Sequence, residues 1–418
     1  MKDERILLPL FLVAMAGCAI GWFFQVQDGV VFFVYLSVVL VSAFAVYPYF
    51  AKRAAGALTI ELYVTALVAK IAASAARLWM IVDLYGSGDA IRYNDAGGRI
   101  AETLRLGEYA ILDQWRIGTN AVEFLAGFCY TILPQSLEGV FLLFSFLAFL
   151  GSCFFLLAFR TSFPGKDPGV YAAVVLFLPS ILFWPASLGK DAVTFFGFGV
   201  IAYGVARQWV QHAPHGILYI VAGVAPIVMV RPHSAGIFVV TACIAALWSL
   251  FGTTRGLVTR FAGILLVGTL GYYVLQVNAD FLFGSEVEEV TTTTLVDFYE
   301  RRKVSASSGR SAVDMPTELV VFAPLYVVGT VLFRPLPWEA RSPAMAMTAL
   351  ENIFFLWFFV SRGKLLWANL KLSRKNMLLA LCIFLSLGIM ALQSGTGNFG
   401  LIARQRVQFL PYLFMLFM

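Results

Sequence analysis

Residues 137–159 read Leu137-Glu138-Gly139-Val140-Phe141-Leu142-Leu143-Phe144-Ser145-Phe146-Leu147-Ala148-Phe149-Leu150-Gly151-Ser152-Cys153-Phe154-Phe155-Leu156-Leu157-Ala158-Phe159, with one charge, Glu138, at the very start. At about 1.5 Å per residue a helix of this length covers about 35 Å, enough to cross a hydrocarbon layer of roughly 30 Å. No polar alternation marks a half-buried strand. Similar runs lie on both sides, at 6–24, 30–49, 58–84, 169–184, 192–206, 216–230, 235–251, 261–277, 343–361, 377–392 and from 408 onward. They predict an all-α fold: one polytopic transmembrane bundle over 1–418 of about twelve helices, each needing roughly 17–25 residues. Two further runs, 121–133 and 318–333, are expected to be interfacial or re-entrant.

Composition agrees. Hydrophobic residues make up 60% of the chain and charged residues 13%, with a mean hydropathy of +0.82. Soluble domains carry about 25% charged residues, so a water-soluble globule is excluded. The 30 Lys and Arg are scattered between apolar runs, which speaks against a nucleic-acid partner, since that needs them gathered on one face. The net charge of +6 bears instead on orientation and on membrane lipids. The five cysteines lack CxxC spacing, so neither a disulfide framework nor a metal site is expected, and no cofactor is called for. Met1–Arg5 followed by the apolar run from Ile6 to Phe24 is expected to be a retained signal anchor.

Lys and Arg collect in cytoplasmic loops. Lys52 and Arg53, Arg160 and Lys166, Arg207, and Arg255 and Arg260 then mark successive inner loops, provided 121–133 does not cross. On this topology 85–120 is an outer catalytic loop and 278–317 a second outer loop, while 185–191 and 231–234 are short outer turns. The basic connector Arg362 to Lys375 belongs inside, so 318–333, with Pro324, is the run expected to re-enter, leaving Arg334 and Glu339 outside.

Four outer stretches carry polar residues that lipid packing does not require. The first is Gly86-Ser87-Gly88-Asp89-Ala90-Ile91-Arg92-Tyr93-Asn94-Asp95, leading into an amphipathic helix through Leu106. Asp89 or Asp95 can act there as a general base, partial desolvation at a membrane surface bringing a carboxylate into a useful range. Alternatively Asn94 or Asp95 only caps the helix. The second is 178–191, where Pro179 and Pro185 break a helix before Lys190-Asp191. This suits an anion site, or else a turn in which Lys190 and Asp191 pair with each other or with solvent. The third is Arg231-Pro232-His233, wedged between two apolar runs. An arginine stays charged when buried, so a carboxylate or a phosphate is its expected partner, and His233 is a base or a hydrogen-bonding spacer. The fourth, Arg404-Gln405-Arg406, precedes the final run; it either grips phosphate through guanidinium forks or anchors to headgroups. Lys70 and Arg77, seven apart inside the third span, mark a functional path or neutralise Glu123, Glu138 or Glu351.

The loop with Asp89, Arg92, Tyr93 and Asp95, the stretch to Lys190-Asp191, Arg231-Pro232-His233, the segment Arg334 to Glu339 and Arg404-Gln405-Arg406 together resemble bacterial integral-membrane proteins of cell-surface polysaccharide assembly. The pattern is similar to glycosyltransferases of the GT-C class, and to Wzy-like or EpsG-like polysaccharide polymerases. The resemblance implies a polyprenyl-linked sugar donor, a glycan or lipid acceptor, other polysaccharide-assembly proteins as partners, and an active periplasmic face of the bacterial inner membrane. In the GT-C class an acidic residue of the first large outer loop is the base, and Asp89 is the matching position. This chain departs from the class in placing that loop after its third span. In the implied reaction Asp89 takes the acceptor proton, and Lys190, Arg231, Arg404 and Arg406 steady the departing phosphate. A Wzy-like polymerase, in which outer arginines carry the diphosphates, a transporter of lipid-linked glycans, and an assembly scaffold are the competing readings. A transporter favours paired halves with matching breaks.

Overall fold

The computed structural model of the chain describes residues 29–251, 269, 324–394 and 398–418. The run 6–24 expected as an anchor, the run 261–277, the segment 278–317 expected as an outer loop and the start of the run 318–333 lie outside the described residues. Among the described residues the regular structure is helical, with no strand. The chain divides into two compact units, 1–231 and 232–418.

The first unit begins with α1 (Gly29–Ala54) and α2 (Ile60–Trp79), the latter running on through a π-helical turn, Met80–Tyr85. Thr59 starts α2 by accepting the Leu62 N–H at 3.3 Å, the usual duty of an N-cap hydroxyl. Next come α3 (Asp89–Arg105) and α4 (Thr119–Ile132), linked by a 3-10 turn, Tyr109–Gln114. Ser136 then caps α5 (Leu137–Ser162), accepting from Gly139 N–H at 3.0 Å. After α5 the chain forms α6 (Gly169–Phe177), the short α7 (Pro179–Phe183), α8 (Lys190–Val205) and α9 (Gly216–Val230).

Helix α8 lies at the centre of this unit, and small residues explain why. A Cβ on Gly199 would sit 2.3 Å from the Gly151 carbonyl oxygen of α5. On its other side, a Cβ on Gly197 or Gly204 would meet the Gly223 or Gly216 carbonyl of α9 at 2.6 and 2.8 Å. Glycines at these seams let backbones come together at van der Waals distance, the way helices pack where the surroundings are as apolar as they are. Every α8 residue from Asp191 to Val205 except Phe196 is buried. Helices α3 and α4 cross in the same manner, Gly97 against Ala126.

The second unit comprises α10 (Pro232–Phe251), α11 (Pro324–Phe333), α12 (Pro343–Ser361), α13 (Gly363–Leu372), α14 (Met377–Ser394), α15 (Phe399–Gln405) and α16 (Leu410–Met415). α13 turns away from α12 by 67°. Trp248 of α10 donates to Ser373 Oγ at 3.0 Å, just past the end of α13.

Four described helices are long and apolar enough to cross a membrane, Gly29–Ala54, Ile60–Tyr85, Leu137–Ser162 and Pro232–Ser249; α12 and α13 pass the same test only if the two, bent by 67°, are taken together. The expectation of about twelve meets shorter elements elsewhere. The run 169–184 is split at Pro179, because the residue before a proline is pushed out of the helical region; Leu178 accordingly has ψ 127°. The run 121–133, which is not counted among the twelve, is a helix of 14 residues, about 21 Å at 1.5 Å per residue, short of the roughly 30 Å core. The run from 408 yields a helix of six, Leu410–Met415, buried throughout.

Candidate functional site

Three helix ends meet in the first unit. Pro232 terminates α9, so Arg231 leaves the helical region (φ −145°, ψ 72°) while its N–H still donates to Ile227 O at 2.7 Å. The close α8–α9 seam then brings Arg231 to the start of α8, where it forms an ion pair with Asp191. Both side chains are almost fully enclosed, 7% and 6% exposed. The third end is the start of α4. Gly118, at φ 104°, occupies a region that side chains disfavour, and its N–H donates to Met229 O at 2.8 Å. The following Thr119 accepts a hydrogen bond from Lys190 Nζ at 2.8 Å.

The starts of α4 and α8 are capped by Gly118 and Gly189, neither with a side-chain cap. Backbone N–H groups at a helix start favour an anion. Two such starts therefore converge where Lys190 and Arg231 supply charge and Asp191 holds the arginine in place. The expectation for Arg231 of a carboxylate partner is met by Asp191, and Lys190 engages Thr119.

The segment leading to Lys190 is held from α2. Pro185 has no N–H to give to Ile181 O, and Lys70 supplies the missing donor: Nζ reaches Ile181 O at 2.8 Å and Leu182 O at 3.0 Å. Lys70 is thus a buried C-cap for α7. One face further along α2, the Arg77 guanidinium lies 5.2 Å from the Phe183 ring centre and 4.7 Å from that of Trp184. Lys70 and Arg77, seven residues apart, both serve the proline-broken stretch.

Asp89 and its neighbours occupy the other end of the α3–α4 pair. Asp89 opens α3, with Gly88 at the cap, so Asn94 and Asp95 stand inside the helix and do not cap it. Asp89 and Arg92 pair at 3.4 Å with side chains 55% and 59% exposed. Asp95 is exposed and accepts from Asn94 Nδ2 at 3.1 Å. Tyr93 is buried, and Asn94 Oδ1 accepts from Tyr130 OH at 2.6 Å. Arg105 closes the pair by donating to the last carbonyls of α4, those of Tyr130, Thr131 and Leu133.

The remaining residues lie in the second unit and form a separate network. Arg334 pairs with Glu339, Nε reaching its two oxygens at 3.0 and 3.2 Å. Glu339 also accepts the Leu336 N–H at 2.8 Å. Burial pushes the Glu339 carboxyl up, but the hydrogen bonds from Arg334 and Leu336 and the charges of Arg334 and Arg341 outweigh it and hold it below the usual carboxylate range. Arg406 has no exposed surface and meets Glu351 at 2.6 Å and Asn352 Oδ1 at 2.5 Å. Asn352 in turn donates to Pro335 O at 3.0 Å, joining this pair to the Arg334 segment. Arg404 and His233 are partly buried. Sequence reasoning missed Thr119 and Asn352, whose partners lie 71 and 54 positions away.

Compared with known protein families, with characterised proteins and with solved structures, the chain matches none.

Proposed function

We propose that the chain is a membrane-embedded glycosyltransferase of cell-surface polysaccharide assembly, taking a sugar from a polyprenyl-phosphate-linked or diphosphate-linked donor at the outer face of a bacterial inner membrane. The observation that carries this reading is the meeting of two helix starts without side-chain caps with Lys190 and the Asp191–Arg231 pair. Such a place favours a phosphate, and helices of membrane length in the same unit support a carrier that enters sideways from lipid. The wider reading includes further crossing helices, to a total of about twelve at the length a bilayer requires.

In the proposed reaction Asp89 accepts the proton of an acceptor hydroxyl, on a glycan or a lipid. The oxygen attacks the anomeric carbon of the donor sugar, the bond from that carbon to the phosphate oxygen breaks, and the carrier phosphate leaves with the electron pair. Arg92, one turn from Asp89, steadies the charge gained by the phosphate, while Lys190 and the helix starts, at the other end of the α3–α4 pair, hold the phosphate of a second lipid carrier, that of the acceptor. Arg231, tied to Asp191, keeps the start of α8 in register with α4. Within the second unit, taken by itself, Arg404 is a separate candidate for a phosphate contact, whereas Arg406 is committed to Glu351 and Asn352.

Binding of undecaprenyl phosphate and of undecaprenol to the purified full chain tests the phosphate site. The phosphate is expected to bind far more tightly than the alcohol, and Lys190→Gln to weaken it about 10- to 100-fold, the value of a hydrogen bond to a charged group. Equal binding of the two lipids refutes the reading.

A further inference from the structure

From Asn352 to Met418 the sequence contains no Asp or Glu, yet Arg362, Lys364, Lys371, Arg374 and Lys375 fall within fourteen residues. Helix α13 carries the middle of this stretch, and its two faces differ. Asn369 and Ser373 are buried. Asn369 Nδ2 donates to the carbonyls of Leu416 and Met418 at 3.0 and 3.2 Å, so this face is fastened to the end of the chain. The opposite face turns outward with Lys364 and Lys371, seven residues apart and therefore nearly in line along the helix.

Apolar side chains flank that basic line. Leu365 and Leu372 on one side are 38% and 42% exposed, and Trp367 on the other is 64% exposed. The Lys371 ammonium lies 5.8 Å from the Trp367 ring centre. A helix pinned by one face has no packing reason to leave two leucines and a tryptophan uncovered. The 67° turn from α12 takes α13 out of the direction of the preceding apolar helix, as expected of a segment leaving hydrocarbon to lie along its boundary. Tryptophan is enriched at that boundary, leucines reach the acyl chains beneath, and lysines extend their charge up to the headgroups.

We propose that α13 with its basic flanks is a docking surface for anionic phospholipid headgroups. Charge complementarity selects this occupant: five cations with no carboxylate in the stretch match a negatively charged lipid layer. The surface is independent of the proposed transfer reaction.

The test titrates the purified full chain, in neutral detergent, with dioleoyl-phosphatidylglycerol and separately with dioleoyl-phosphatidylcholine, reading binding by thermophoresis. Phosphatidylglycerol is expected to bind at least tenfold more tightly, and 0.5 M salt to erase that preference by screening. Lys364→Gln with Lys371→Gln should lower phosphatidylglycerol affinity about 30-fold, about fivefold per cation near an anionic surface, with phosphatidylcholine binding unchanged. Lys364→Arg with Lys371→Arg should keep the preference. Equal affinity for the two lipids overturns the proposal, as does a salt-resistant preference or one that survives both glutamines. A glutamine variant that changes oligomeric state while binding phosphatidylglycerol like the parent would make the face a contact between copies, also overturning it. If the glutamine variant fails to fold, the salt titration of the parent alone decides.

Discussion

Asp89 with Arg92 and Asp191 with Arg231 are chemically the same pair in two settings. The first is local, three residues apart on one helix, and more than half exposed; the second spans forty residues and is nearly sealed. An exposed pair contributes little because water and salt screen it. A buried pair is costly to form but far more costly to break, since removing one partner strands a charge in an apolar interior. The difference separates roles: the buried pair is framework, fixing where α8 begins, and the exposed carboxylate is the one free to change its bonding during a reaction.

The largest effect should come from breaking the buried pair. Arg231→Ala is expected to lower stability by about 3–5 kcal/mol, read as the shift in denaturant unfolding of detergent-solubilised protein. Asp191→Leu combined with Arg231→Met, which removes both charges, should recover most of that loss. If the alanine variant unfolds with the parent, the pair is not framework.

Next in size is Lys70. Lys70→Met leaves the carbonyls of Ile181 and Leu182 without their donor, which should cost about 1–3 kcal/mol. The same change should weaken undecaprenyl phosphate binding, because the cap holds the stretch that leads to Lys190. Parent-like stability and binding would show that the break at Pro185 needs no cap.

Glu339 gives a smaller, pH-dependent effect. Its carboxyl is held below its ordinary value when folded, so its contribution is present above the ordinary carboxylate range and is lost as pH falls through the lowered value. Melting temperature against pH should decline on the acid side for the parent, and less steeply for Glu339→Gln. Parallel curves for the two proteins would contradict this. Smallest of all should be the stability change of Asp89→Ala, between about 0 and 1 kcal/mol for an exposed pair.

Much of the helical pattern was legible in the sequence because runs such as 137–159 admit one structure, and the breaks at Pro179 and Pro232 were legible because proline disfavours a continuing helix, although Pro48 and Pro226 lie inside α1 and α9. The number of crossing helices was harder to read: apolar length alone does not tell a full span from a buried short helix such as Leu410–Met415. Partners were harder still. Nothing local links Lys190 to Thr119 or Arg406 to Asn352, since those contacts follow from how helices stack. The glycine seams of α8 were visible as Gly197, Gly199 and Gly204, but their meaning depends on facing Gly223, Gly151 and Gly216. Lys70 was conspicuous as a buried charge, while its target, two carbonyls freed by a proline, appears only once α2 lies against α7.

The most direct test of the account is glycosyl transfer by the Asp89→Asn variant. Membranes carrying the parent or the variant at equal folded amounts are supplied with radiolabelled polyprenyl-phosphate-linked sugars from the source cell, and transfer to acceptor is measured. Asparagine keeps the shape and removes the basicity, so the rate should fall about 10²- to 10⁴-fold while undecaprenyl phosphate binding and melting temperature stay at parent values. Transfer at the parent rate by the asparagine variant would contradict the assignment of the exposed carboxylate as the base.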